Sequence, residues 1–377
     1  MQWSTVGKWT LQWVGVVVGL SLLSAGESAI AQTAQNAQNP APESAKSFVE
    51  WCSQQATLEP ETRQTVELLL AIAGASNCQQ AETTLANTTN LVLSHSNIAD
   101  LRPLATFKKL EVLLLSNNRI KDIRPLRDLT NLRLLTLDTN QVADITPLST
   151  LTNLEVLALD TNQIKDLQPL QSLTKLTSLL LYSNQISDLS PLAALKNLQA
   201  LSLYQNQISD LSPLSSLQNL QVLSLYSNQI SDLSPLAALT QLRTLALFEN
   251  QISDLGPLAA LKNLETLTLF ENKITDLTPL SQLNNLNELI IGNNPIADLK
   301  PLSQLKKLQK LALFNTQVVD VSPLKTSANL TNLDLYNTRV ADVSALKTMM
   351  NLKELDLRKT PLKQKVCPVQ PASVCRF

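Results

Sequence analysis

The sequence predicts an α/β solenoid: a horseshoe with one parallel β-sheet on its concave face, short 3₁₀ turns on its convex face and a helical N-terminal cap. Three observations carry this reading. One apolar position recurs every 22 residues from Leu91 to Leu355, with no insertion anywhere. Each unit alternates Leu-x-Leu before an asparagine, the pattern of a short strand buried on one face. Each unit then returns through an aspartate and, in nearly every copy, a proline. No single copy can bury its own leucines, so the copies must stack.

In Leu198 to Leu214, taken as a representative unit, Leu201 and Leu203 point into the core and Asn206 turns the chain out of the strand. Asparagine holds that place from Asn118 to Asn294, with Ser96 before it and Thr316, Thr338 and Thr360 after it. An amide stacked at one repeat spacing can hydrogen-bond the neighbouring turns and satisfy backbone groups buried at the bend. On the return, Ser212 before Pro213 reads as an N-cap followed by a first helical residue. Too few residues remain for an α-helix, so only a 3₁₀ turn fits.

On these residues, from Thr88 to about Leu362, the chain resembles bacterial leucine-rich-repeat proteins of the internalin type. Outside the resemblance, Pro60 to Ala73 reads as a cap helix with Val66, Leu69, Leu70 and Ile72 on one side and Gly74 as its stop. The organisation expected is an export signal at 1–31, a flexible linker at 32–44, a helical cap at 45–87, repeats at 88–362 and a C-terminal cap at 363–377. The signal rests on Lys8, the apolar run of 12 from Val14 to Ala25, and the small-residue site Ala29-Ile30-Ala31. That run is short for a bilayer, so cleavage is expected and no integral membrane anchor afterwards. The chain departs from the best-known internalins in lacking a wall-anchoring motif, GW-type modules or an immunoglobulin-like segment after the repeats. A secreted or periplasmic location follows.

The cysteines agree with export. Cys52 and Cys78 precede the repeats, and Cys367 and Cys375 follow them. Four cysteines allow three connectivities, but pairs at opposite ends of a rigid rod can join only locally. The first loop would contribute roughly 3 kcal/mol in the chain-entropy account.

Composition narrows function. A net charge of -1 and a pI near 6 argue against nucleic acid, which calls for a basic stripe. The single histidine, His95, has no triad context, and the seven glycines form no phosphate loop. The aspartates from Asp100 to Asp342 recur one per coil, which suits turn capping rather than calcium, an ion that needs six to eight converging oxygens. Neither an enzyme, a cofactor nor a metal is expected.

What stands out is the residue after the second leucine, on the concave side. Down the repeats that column reads Tyr182, Tyr204, Tyr226, Phe248, Phe270, Gly292, Phe314 and Tyr336, and it holds all four tyrosines of the chain. At ~4.8 Å per strand, the seven steps span about 34 Å. An exposed aromatic stripe of that length marks an interaction face. In internalins, concave aromatics grip the protein ligand, so the resemblance implies the same for these seven aromatic positions. Glu249 and Glu271 flank them, and with Glu265 and Arg243 are expected to form one charged patch that steers a partly basic partner. A protein partner is therefore the leading reading. A glycan is the alternative, although Trp3, Trp9, Trp13 and Trp51 all lie outside the repeats. A spacer without a ligand is the third, with the rings duplicated or stacked for stability.

Overall fold

The computed structural model describes residues 46–377; the expected export signal and linker lie outside the described residues. Three helices come first: α1 (Phe48–Ser53), α2 (Pro60–Ala73) and α3 (Cys78–Leu85). A reciprocal capping box starts α1, with the Ser47 hydroxyl accepting from the Glu50 amide and the Glu50 carboxylate accepting from the Ser47 amide. Pro60 opens α2, and Gly74 at φ +57° closes it. A disulfide between Cys52 and Cys78 ties α1 to α3.

The buried side of α2 differs from the sequence expectation. Thr62, Thr65, Val66 and Leu69 face inward, whereas Ile72 is 45% exposed. The stripe through 62, 65, 66 and 69 continues to 73, which leaves position 72 off its edge. The two threonines are buried because they are used. Thr62 donates to the Asp100 carboxylate at 2.6 Å and Thr65 to the Asp100 carbonyl at 2.8 Å, which fastens the helix to the first coil.

From Asn90 onward each coil contributes one three-residue strand, β1 (Asn90–Val92) to β13 (Glu354–Asp356), and the chain ends in β14 (Cys375–Arg376). The 14 strands lie side by side in sequence order in one parallel sheet. Leu91 pairs with Leu113 at one end and Leu333 with Leu355 at the other, so identical positions are always neighbours. Behind the sheet the strand leucines are buried, most of them completely, and each is worth about 1.5–3 kcal/mol relative to exposure. A second disulfide, Cys367 to Cys375, fixes the segment after the last coil onto β14.

The asparagine of each coil holds the stack together as expected. Asn184 donates to Leu159 O of the preceding coil and Leu181 O of its own, both at 3.0 Å, and accepts from the Ile164 amide at 3.0 Å. The threonines that replace it reach only their own coil: Thr316 donates to Leu313 O and Thr338 to Leu335 O. A second asparagine series, not anticipated from the sequence, runs along the turns that enter eight of the strands. Asn197, for example, donates to Thr174 O at 2.8 Å, and Asn219 to Lys196 O at 2.8 Å.

The return turns are 3₁₀, and their cap is the aspartate rather than the serine. Ser212 is itself the first 3₁₀ residue, and its amide donates to Asp210 Oδ1 at 2.8 Å. The same contact recurs from Asp100 to Asp342. Aspartate reaches the amide two residues on, an Asx turn, and accepts from the serine hydroxyl as well, as Asp320 does from Ser322 at 2.7 Å and Asp342 from Ser344 at 3.0 Å.

Replacing Asn184 with alanine strands the buried Ile164 amide and the Leu159 carbonyl. A loss of about 1–3 kcal/mol is expected, read as a lower urea midpoint; an unchanged midpoint contradicts this role.

Candidate binding face

The aromatic column lies two residues beyond each strand, at the edge of the sheet's solvent face. Tyr182 follows β5 (Ser178–Leu180), Tyr204 follows β6 (Ala200–Ser202), and Tyr226 follows β7 (Val222–Ser224). Phe248 and Phe270 follow β8 (Thr244–Ala246) and β9 (Thr266–Thr268). Backbone pairing continues past the strands, as in Ser183 N to Tyr204 O at 3.0 Å, so the rings sit at one fixed spacing.

They use that spacing to stack. Ring centroids are 4.1 Å apart for Tyr182–Tyr204, 4.0 Å for Tyr204–Tyr226, 4.0 Å for Tyr226–Phe248 and 4.2 Å for Phe248–Phe270, with planes within 13° of parallel. This corrects the expectation of an exposed stripe. Neighbouring rings cover one another, so Tyr182, Tyr204, Tyr226 and Phe248 are half-buried and Phe270 is only 5% exposed, while Tyr336, outside the stack, is half-buried too. Solvent meets ring edges rather than ring faces. Each stacked pair adds about 0.5–1.5 kcal/mol beyond burial.

Gly292 is not a gap in this series. The Phe314 ring folds into its place, 6.2 Å from Phe270 and tilted by 52°, and is 6% exposed. A Cβ at Gly292 would come within 2.6 Å of three Phe314 ring carbons. Tyr336 stands apart, with the Arg358 guanidinium 5.5 Å and the Lys359 ammonium 5.1 Å from its ring centre.

The residue after each position of the column adopts a left-handed backbone that sequence reasoning missed. Glu249 has φ +54°, Glu271 +56° and Asn293 +51°. The only signal was asparagine at 117, 293, 315 and 337, a residue that tolerates this region. The turn aims these side chains along the sheet edge into a polar ladder. Ser227 donates to Glu249 at 2.5 Å; Asn337 donates to Asn315, Asn315 to Asn293, and Asn293 to Glu271.

Glu249 and Glu271 do not share a patch with Arg243 and Glu265. The latter two form their own ion pair at 3.1 Å ahead of β8 and β9, at the opposite end of the strands. Six residues of extended chain, about 20 Å, separate Arg243 from Glu249.

Beside the aromatics, the sheet face carries orphaned hydroxyls. Ser178, Ser202, Ser224 and Thr268 side chains have no hydrogen-bond partner at buried positions. In the two coils before the rings, the column is acidic. Ser116 donates to Asp138 at 2.5 Å, and Asp160 lies between Asp138 and Tyr182. Burial, reinforced by Asp138, pushes the Asp160 carboxyl up to about 7, against the opposing pull of the Tyr182 hydroxyl. Burial likewise raises the Asp334 carboxyl to about 6 near the other end.

Two outcomes follow. Gly292→Ala is expected to expel the Phe314 ring and cost about 1–3 kcal/mol, read by denaturant unfolding; full stability contradicts the packing. For Asp160, the folded state binds the proton more tightly than the unfolded chain does. Its contribution is therefore favourable below about pH 4 and is lost as the pH rises toward 7. Asp160→Asn should gain stability over the native chain as the pH rises from 4 to 8. A constant difference across that window contradicts the raised carboxyl.

Comparison with known proteins places this geometry. The leucine-rich-repeat family (leucine rich repeats, two copies) matches in eight stretches, the first at 108–150 and the last at 284–326. No curated protein sequence matches the chain. Among solved structures, an internalin (inlF) of Listeria monocytogenes shares 34% identity at a TM-score of 0.80, over 85% of this chain and 98% of that one. A leucine-rich-repeat protein of Leptospira interrogans shares 25% identity at a TM-score of 0.64, over 76% of this chain and 88% of its own. The leucine-rich-repeat ectodomain of an Arabidopsis thaliana membrane receptor kinase, solved in complex with Casparian strip integrity factor 2, shows the same fold. It matches at 23% identity and a TM-score of 0.59, over 72% of this chain and 38% of that one. The unbroken 22-residue register, the open parallel sheet and these matches together make the chain a member of the leucine-rich-repeat family, of the internalin-like kind.

Proposed function

We propose that this protein is an exported binding module whose ligand is a polypeptide laid along the concave sheet face, over Tyr182, Tyr204, Tyr226, Phe248 and Phe270. The observation that carries the reading is the ladder itself: five stacked rings held in one register along the edge of the sheet. Stacking removes the rotamer freedom that binding would otherwise cost, so the surface is rigid before its ligand arrives. The plant receptor ectodomain with its bound factor uses the same fold to hold a partner.

The ladder disfavours the glycan alternative. A sugar stacks on a free ring face, and the faces of Tyr204, Tyr226 and Phe248 are each covered on both sides. Export is supported by two disulfides, which persist in oxidising compartments. No helix among the described residues is long and apolar enough to cross a membrane. The spacer reading has one observation in its favour, that the rings already satisfy each other.

Affinity capture separates these readings. The oxidised mature chain is exposed to envelope and secreted proteins beside a variant carrying Tyr204→Ala, Phe248→Ala and Phe270→Ala, both checked by circular dichroism. A polypeptide held by the native chain and weakened at least about 30-fold by the variant is expected, because central aromatic anchors each cost about 2 kcal/mol or more when truncated. Equal capture by both leaves the ladder as packing, and retention on insoluble glycans instead revives the alternative.

A further inference from the structure

The near-zero net charge conceals a strong separation along the solenoid. Residues 134–299 contain 15 carboxylates and 6 basic side chains, whereas residues 300–377 contain 5 carboxylates and 13 basic side chains. The final coils therefore carry an excess of eight positive charges. Those positive charges are not consumed internally. Only Lys310, Arg358 and Arg376 of the 13 form ion pairs, with Glu288, Asp356 and Glu354.

The remaining carboxylates are occupied elsewhere. Asp320 and Asp342 cap their own turns through the Ser322 and Ser344 amides, and Asp334 accepts from the Tyr336 amide. Lys300 and Lys347 exert only a longer-range attraction on Asp320 and Asp342. Ten cations thus stand without an ion pair among the described residues.

Their placement identifies the kind of partner. Lys300, Lys325 and Lys347 sit on the 3₁₀ return turns. Lys306, Lys307 and Lys353 precede the strands, Arg339 and Lys359 follow them, and Lys363 and Lys365 lie beyond the last coil. All ten are exposed and distributed around the girth of the last coils, where a flat surface could touch only one side at a time. The aromatics of this region, Phe314, Tyr336 and Phe377, are not exposed, so nothing offers itself for base stacking.

We propose that the C-terminal coils are a docking site for a flexible linear polyanion, a polymer with repeating phosphate groups that wraps the lysines lacking ion pairs. The attraction is non-stereospecific and releases the counterions condensed on the polymer, so affinity falls steeply with salt. This site is separate from the aromatic ladder and does not depend on what that ladder binds.

The test uses the full oxidised chain, with long-chain inorganic polyphosphate as the probe and vesicles containing phosphatidylglycerol as the comparison. One variant carries Lys353→Gln, Lys359→Gln, Lys363→Gln and Lys365→Gln. A control with the same change in net charge carries Lys165→Gln, Lys175→Gln, Lys196→Gln and Lys262→Gln. Polyphosphate is expected to bind at low salt, with the C-terminal variant weakened roughly tenfold or more and its salt slope reduced, while the control changes less than about twofold. The alanine variant of the aromatic ladder should bind polyphosphate normally. Equal losses in both lysine variants, no binding at low salt, or binding to vesicles but not to polyphosphate would each overturn the proposal.

Discussion

The amide that bridges consecutive coils is the constraint on which the rest of this molecule depends. Each turn asparagine binds the carbonyl of one coil and the amide of the same neighbour while closing its own bend, as Asn162 does with Leu137 O and the Val142 amide. Two-sided bonding of this kind accepts only one offset between coils. A coil of 21 or 23 residues would leave its amide facing the wrong carbonyl, with a buried polar group unpaired. The fixed offset is what puts equivalent side chains into straight columns.

Columns give the sheet face its character. A single tyrosine at the edge of a strand would be an ordinary half-exposed ring. Five in register at 4.0–4.2 Å become a continuous slab whose members immobilise one another. The acidic pair ahead of it obeys the same geometry with the opposite energetic sign, since stacking Asp138 against Asp160 raises both carboxyls by burial.

Repetition made the fold legible. Period-22 leucines, the asparagine column, the helix from Pro60 to Ala73 and the local cysteine pairs all rest on spacing, and spacing is visible in a sequence. What escaped was conformation within the coil. Glu249 and Glu271 carry no mark of a left-handed backbone, because the turn imposes it on whatever residue is there. Serine before proline resembled a cap until aspartate, two residues earlier on the chain, proved to reach the amide first. Gly292 interrupts the aromatic column in the sequence, and only packing reveals that Phe314 fills its place. Exposure of the stripe is hidden for the same reason: a column in sequence does not say whether its members cover each other.

The central claim is that the ladder is a binding face, not only a packing device. Hydrogen exchange along the chain, measured with and without the polypeptide captured by the native protein, tests it most directly. The account predicts slowed exchange at the backbone amides from β5 to β9 and in the left-handed residues that follow them. Slowed exchange confined to the 3₁₀ turns on the opposite side, with the ladder coils unchanged, would contradict it.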